Sequence, residues 1–375
     1  MTGRTSLAAL LAACASGPQV HKPAAEAHVQ QVQASYGIPA MGAAIVRDGV
    51  TIIAVAGVRR VDAPDLVRDT DAFHLGSDTK AITASVVARL VERGLLYWGE
   101  TLAEALPDTK IHPGFREVTL EMVMRHVAGL PGGGAFTSEF TEGFDDEHWT
   151  LERQRSDMTR RFLVRPPALP AGTRFVYSNY DYIVIGHVVE RAATKPWEQL
   201  VQEEVFEPLQ MVGCGFGPTS TRMHPGGVWG HDVKDGVYVP TEEDNPPLLG
   251  PAGTVHCPLE AWARFAAAHA GNGPAGWLSE ASLRKLHEPL NVPGTGVGKD
   301  IALGWGVTTT GSPRLLTHNG SNGYNQARIV VIPSLHAAVL VTANAGDGRA
   351  RDAVDELSDL LVHQLAPDAP YAKGP

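Results

Sequence analysis

A chain of 375 residues, 43% hydrophobic and 19% charged, carries enough apolar content for a large buried core, which excludes a disordered or fibrous protein. With 31 basic against 41 acidic residues the net charge is −10, and no run of Lys and Arg occurs. That balance argues against nucleic acid, whose phosphates need a concentrated basic surface, and leaves a small molecule as the expected partner.

The N-terminal "MTGRTSLAALLAACASG" has one positive residue, Arg4, an apolar run from Leu7 to Ala13, and then Cys14. It reads as a short secretory signal, too brief to span a bilayer. Leu11-Ala12-Ala13-Cys14 resembles the lipobox of bacterial lipoproteins, in which the cysteine becomes the lipidated first residue. The expectation is an exported protein, periplasmic or held to a membrane through Cys14, with residues 1–27 as signal and linker. The alternative is a frayed alanine-rich tail on a cytoplasmic protein.

Next comes "MGAAIVRDGVTIIAVAGVRR" (41–60), two strand-like runs joined at Asp48-Gly49, a dipeptide suited to a two-residue hairpin turn. "FHLGSDTKAITASVVARLVERGLL" (73–96) follows, a short strand and then a helix with an apolar stripe. On that helix Ser77 and Lys80 share a face at the N-terminal end. They are either a nucleophile with its activator or a helix cap and an ordinary surface lysine.

Helical patterns broken by Gly/Pro loops fill the middle, among them "TLEMVMRHVAGLPGGG", "DYIVIGHVVERAATKPWEQLVQEEVF" and "PLEAWARFAAAHAG". Toward the end "RLLTHNG", "QARIVVIP" and "HAAVLVTANA" read as strands and "ARDAVDELSDLLVHQL" as an amphipathic helix. The predicted fold is therefore α+β. An antiparallel sheet flanked by helices is built from both chain ends (28–96 plus 300–375), with an inserted, mainly helical lobe (97–299). Cys214 and Cys257 lack CxxC spacing, so neither a zinc site nor a disulfide framework is predicted.

Several motifs fail on physical grounds. "PGTGVGKD" (293–300) has Pro293 where a phosphate loop needs its first glycine and Asp300 where Ser or Thr would meet magnesium. "GNGPAG" (271–276) follows a helix pattern, not a strand, so its backbone would not present N–H groups to a pyrophosphate. The fifteen histidines include no HExxH and no pair at i, i+3 or i+4, and no GxSxG elbow occurs. No metal or cofactor is expected.

What remains is the serine-lysine pair and two companions. A lone SxxK is weak, and Ser282…Lys285 is a second copy, in a polar helical stretch. Ser77 differs in following a strand, with Gly76 permitting close approach and a helix N-terminus directed at its hydroxyl. Tyr177-Ser178-Asn179 sits in a Pro/Gly-rich loop just before a helix, where a phenol and a carboxamide can both face a cleft. His318-Asn319-Gly320 ends a strand, whereas the like-spelled segments at His112 and His224 carry prolines that disfavour one.

In that order the three elements resemble the SxxK, YxN and [KH]xG motifs of the serine β-lactamase and penicillin-binding-protein superfamily. The closer likeness is to the branch of class C β-lactamases, DD-peptidases and related esterases. "VTLEMVMRHVAGLPG", "VFEPLQM", "GPAGTV" and "ALGWGV" resemble segments between those motifs, so the likeness spans about 28 to 366. It implies the β-lactamase/transpeptidase-like fold and an acyl-enzyme on Ser77. A serine hydroxyl needs a base within hydrogen-bond reach, and Lys80 and Tyr177 are the candidates. Either serves only if its surroundings favour the neutral amine or the phenolate, and the sequence leaves that choice open. The resemblance further implies that Asn179 holds Lys80 and the substrate amide, and that the Ser77 and Ser321 backbone N–H groups form an oxyanion hole beside Gly320.

Two departures matter. Class C enzymes usually place Lys where His318 stands, and a histidine binds a substrate carboxylate less strongly. "RHVAGLP" replaces two hydroxyl residues of the usual HTSGLP with Val127 and Ala128. The expected activity is a serine carboxylesterase on small esters. The alternatives are a D,D-peptidase, D-amino-acid amidohydrolase or class C-like β-lactamase, and, from another class, a penicilloyl-binding sensor that acylates without turnover. The oligomeric state is not readable.

Overall fold

The computed structural model describes residues 21–133, 149–296 and 298–370. The signal-like segment with Cys14 lies outside the described residues. Helix α1 (Lys22–Tyr36) opens with Pro23 in its first turn, where a missing N–H costs nothing, and closes on Gly37 in the left-handed conformation. Ala25 is already buried, so residues 22–27, expected as linker, form the first turns of a packed helix.

Strands β1 (Ala40–Arg47) and β2 (Val50–Gly57) form the predicted hairpin. Asp48 and Gly49 both take positive φ, 49° and 80°, as a two-residue turn of this type demands. A small sheet holds β3 (Ala72–His74), β4 (Gly215–Phe216) and β7 (Val255–Pro258) in the order β3-β7-β4, and β5 (Gly230–Lys234) pairs with β6 (Val237–Thr241). The large sheet is completed by β8 (Lys299–Ile301), β9 (Gly306–Thr308), β10 (Leu316–Ser321), β11 (Gln326–Ile332) and β12 (Ala337–Ala343). Its order is β2-β1-β12-β11-β10-β9-β8, antiparallel throughout.

The join between chain ends is the β1–β12 ladder, Met41 opposite Ala343 through Arg47 opposite Ala337. Every residue of β12 is buried because both faces of the sheet are covered, which is why the strand reads as an unbroken apolar run. One face packs on α1 and the C-terminal helix α5 (Gly348–Leu365), through Val29, Val32, Leu357 and Leu361. The opposite face joins a larger core with α2 (Thr79–Glu92), α3 (Asn179–Ala193) and α4 (Leu259–Ala267).

Three expectations need correction. The strand ahead of Ser77, β3, pairs with β7 of the inserted, mainly helical region rather than joining the large sheet. The helical pattern from 119 keeps only Leu120–Met124 as helix; His126 and Gly129 then turn left-handed at φ 58° and 82°. Cys214 and Cys257 form a disulfide across 43 residues. Folding places Gly215 opposite His256 in the β4–β7 pair, so the two sulfurs meet through tertiary pairing that linear spacing does not encode.

Candidate active site

Ser77, the candidate nucleophile, lies in a short turn, Gly76–Asp78, ahead of α2. Neither the residue before that turn nor the one before α2 makes a side-chain cap, so Ser77 is not spent as a helix cap. It stays partly accessible while Lys80 is fully buried. The Lys80 Nζ lies 3.1 Å from Ser77 Oγ and donates to Asn179 Oδ1 and to the Ala252 carbonyl, each at 2.7 Å. Two of its three hydrogen-bonding directions are thus taken by oxygens that only accept, and the third faces the serine. Burial pulls the Lys80 pKa down to about 7, against the opposing fields of Asp181 and Asp78. A neutral amine therefore exists near neutral pH, with its lone pair toward the Ser77 hydroxyl.

Tyr177 sits over the same nitrogen, its ring centroid 4.9 Å from Lys80 Nζ. Enclosure raises its phenol well above the ordinary value, and a hydrogen bond with Ser77 opposes that rise only partly. The phenol keeps its proton at neutral pH and acts as a donor. Ser178 caps α3 by accepting from the Tyr180 N–H, which puts Asn179 at the first helical position with its side chain on Lys80.

Beneath Tyr177 lies His126, ring centroids 4.6 Å apart, with Nδ1 2.6 Å from Asp181 Oδ2. The Ser178 N–H donates to the same Nδ1 at 3.3 Å. Burial raises Asp181, opposed by the Lys80 charge, and lowers His126.

The third element approaches from β10. A Cβ on Gly76 would stand 2.3 Å from the Ser321 nitrogen, and one on Gly320 would stand 1.9 Å from the Leu75 carbonyl oxygen. Only two glycines let these backbones meet. Their contact brings the segments bearing the Ser77 and Ser321 N–H groups together, the arrangement an oxyanion needs. His318, on the same edge, has Nδ1 3.2 Å from Asp78 Oδ1 and 2.9 Å from the Asn319 carbonyl.

All seven sequence-predicted site residues therefore converge: Ser77, Lys80, Tyr177, Asn179, His318, Gly320 and Ser321. The second SxxK does not. Ser282 Oγ donates to Glu92 Oε1 at 2.6 Å, while the Lys285 Nζ is 2.8 Å from Glu121 and 2.9 Å from Glu288. Sequence reasoning missed Asp78, His126 and Asp181, and also Ala252, whose carbonyl orients Lys80 from within "GPAGTV". Asp78 stood inside the first motif, but a carboxylate there carried no recognisable signal until β10 packed against it.

The Beta-lactamase family profile matches residues 25–364. Unguisins hydrolase ungD' of Aspergillus campestris is 26% identical over 340 residues, 84% of this chain and 60% of that protein. This chain thus spans less than two thirds of that relative's length. The octameric penicillin-binding protein homologue from Pyrococcus abyssi superposes with a TM-score of 0.72 at 23% identity, covering 90% of this chain and 76% of that one. D-amino acid amidase from Ochrobactrum anthropi SV3, solved with L-phenylalanine amide, gives 0.70 at 19% identity, with 92% and 97% covered.

Proposed function

The chain belongs to the β-lactamase family, and from that premise we propose that it is a serine hydrolase, a carboxylesterase on small esters working through an acyl-enzyme on Ser77. The observation that carries the reading is the buried Lys80 Nζ, 3.1 Å from Ser77 Oγ and lowered to about 7. As Oγ attacks the ester carbonyl, its proton passes to the Lys80 amine. The carbonyl oxygen collects the electron pair facing the Ser77 and Ser321 N–H groups. Tyr177 hands its phenolic proton to the departing alkoxide and is reprotonated from Lys80, so the amine is neutral again when water attacks the acyl-enzyme. The base is Lys80, and Tyr177 is the acid.

Histidine rather than lysine in the third element supports a neutral ester over a β-lactam. A D-amino-acid amidohydrolase is the second reading, supported by the name of the Ochrobactrum structure that covers most of the chain. We also propose export. The Cys214–Cys257 disulfide supports it, because such bonds persist in oxidising compartments, and Cys14 is the candidate lipid anchor.

The test is a hydrolysis panel of p-nitrophenyl esters, nitrocefin, D-amino-acid amides and a D-Ala-D-Ala peptide, with intact-mass detection of the adduct on Ser77. Sustained turnover confined to esters fits the proposal. Turnover of amides only selects the second reading, and a stoichiometric burst without steady state selects a penicilloyl-binding sensor.

A further inference from the structure

The third element contains a pairing that no motif describes. Asp78, the residue after the nucleophile, is 1% exposed, and its Oδ1 lies 3.2 Å from His318 Nδ1 across the contact between the turn and β10. The same Nδ1 is 2.9 Å from the Asn319 carbonyl oxygen. A carbonyl oxygen only accepts, so Nδ1 carries a proton in either charge state of the ring. The other ring nitrogen, Nε2, has no hydrogen-bond partner among the described residues, and His318 lines a cavity of about 160 Å³ with Tyr177, Phe175 and Met124.

We propose that Asp78 is a specificity-determining residue: through Nδ1 it fixes His318 so that the pair offers no net positive charge, and the cleft takes esters and amides without a carboxylate on the leaving group. This rests on the hydrolase reading and names its substrate class. If His318 is neutral, the pair is His with an ionised Asp78 and its field is negative. If His318 is charged, the pair is an ion pair with Nε2–H as donor. While Asp78 is ionised, neither state reproduces the lone cation that a lysine would supply.

The groups acting on Asp78 are His318, Lys80 and Arg328. Burial pushes its carboxyl up to about 6, opposed by the His318 hydrogen bond and by those charges. Above that value the carboxylate repels a substrate anion, and below it the repulsion disappears. Lys299, half-buried and acted on by Arg328 and Asp355, and the carboxylate of Asp300 also line the cavity. Lys299 is the competing candidate for an anion and enters the test, while a contribution from Asp300 would survive in Asp78→Asn.

Phenyl acetate and 3-acetoxybenzoate differ by one carboxylate on the leaving group. Their kcat/KM ratio is to be measured from pH 5 to 8 in wild type, Asp78→Asn and Lys299→Met. Protonation of Lys80 at low pH slows both substrates and cancels in the ratio. Wild type at pH 8 is expected to favour phenyl acetate at least tenfold. The preference narrows severalfold by pH 5, and in Asp78→Asn it is narrowed at every pH. A wild-type ratio flat with pH, or one unmoved by Asp78→Asn, overturns the inference, and the flat profile does so even if the variant does not fold. A wild type that favours the benzoate and loses that preference in Lys299→Met also overturns it. A fluorophosphonate adduct on Ser77 is scored in parallel: its absence from wild type defeats the hydrolase reading itself and this inference with it.

Discussion

The Lys80 Nζ lies 2.7 Å from Asn179 Oδ1, although the two residues are 99 apart in the chain. That bond joins α2, which follows the turn bearing Ser77, to α3, which begins at Asn179. It also occupies one proton of the nitrogen, so that the remaining direction points at Ser77. Proton transfer from Ser77 to Lys80, as proposed, depends on this orientation.

Ser77→Ala should abolish ester turnover, a loss of roughly 10³ or more, whereas Ser282→Ala should leave kcat near normal. Ser282 bonds Glu92, so its loss should cost about 1 kcal/mol of stability, read as a lower Tm. Equal activity losses in the two folded variants would contradict the assignment.

The pH dependence follows from Lys80. Its pKa is lowered to about 7 and the base is the neutral amine, so kcat/KM should rise with pH through about 7 and then level off. Tyr177 is raised, so its deprotonation should add no falling limb below about pH 10. A profile that is flat between pH 5 and 9 would remove Lys80 from the base role.

Tyr177→Phe removes one hydroxyl and leaves the ring against His126 and Lys80. The expected result is a fall in kcat of about 10²–10⁴ with little change in thermal unfolding. Unchanged kcat would show that the leaving group takes its proton elsewhere.

At Gly76 an added methyl would meet the Ser321 nitrogen at 2.3 Å, at a φ of 51° that L side chains rarely adopt. Gly76→Ala should separate the two oxyanion donors and lower kcat about 10²–10³-fold. The backbone strain should also cost roughly 1–3 kcal/mol, read from denaturant unfolding. Wild-type kcat in a folded Gly76→Ala protein would mean that the oxyanion is held by other groups.

Cys14→Ser tests the anchor. Cell fractionation should find the wild type with membranes and the variant in a soluble fraction. Uncleaved wild-type protein in the cytoplasm would refute export.

The sequence by itself determined most of the large sheet and the residues of the candidate site. β1, β11 and β12 were legible because strands covered on both faces are mostly apolar, and β2 because the Asp48-Gly49 turn needs positive φ; β10 was legible from the short apolar run ahead of His318. Ser77, Lys80, Tyr177, Asn179 and His318 were legible because the proposed nucleophile, base and donors demand particular functional groups, and few residue types supply them. Tertiary structure alone showed how the second SxxK is occupied, with Ser282 bonded to Glu92 and Lys285 held between Glu121 and Glu288. It decided the disulfide, which depends on β4 lying beside β7, and the charge of Lys80, which depends on complete removal from water. It also decided the pairing of Asp78 with His318, 240 residues apart. Local sequence fixes backbone preference and functional-group identity within a few residues, whereas burial and the field of a distant carboxylate exist only once the chain has closed around them.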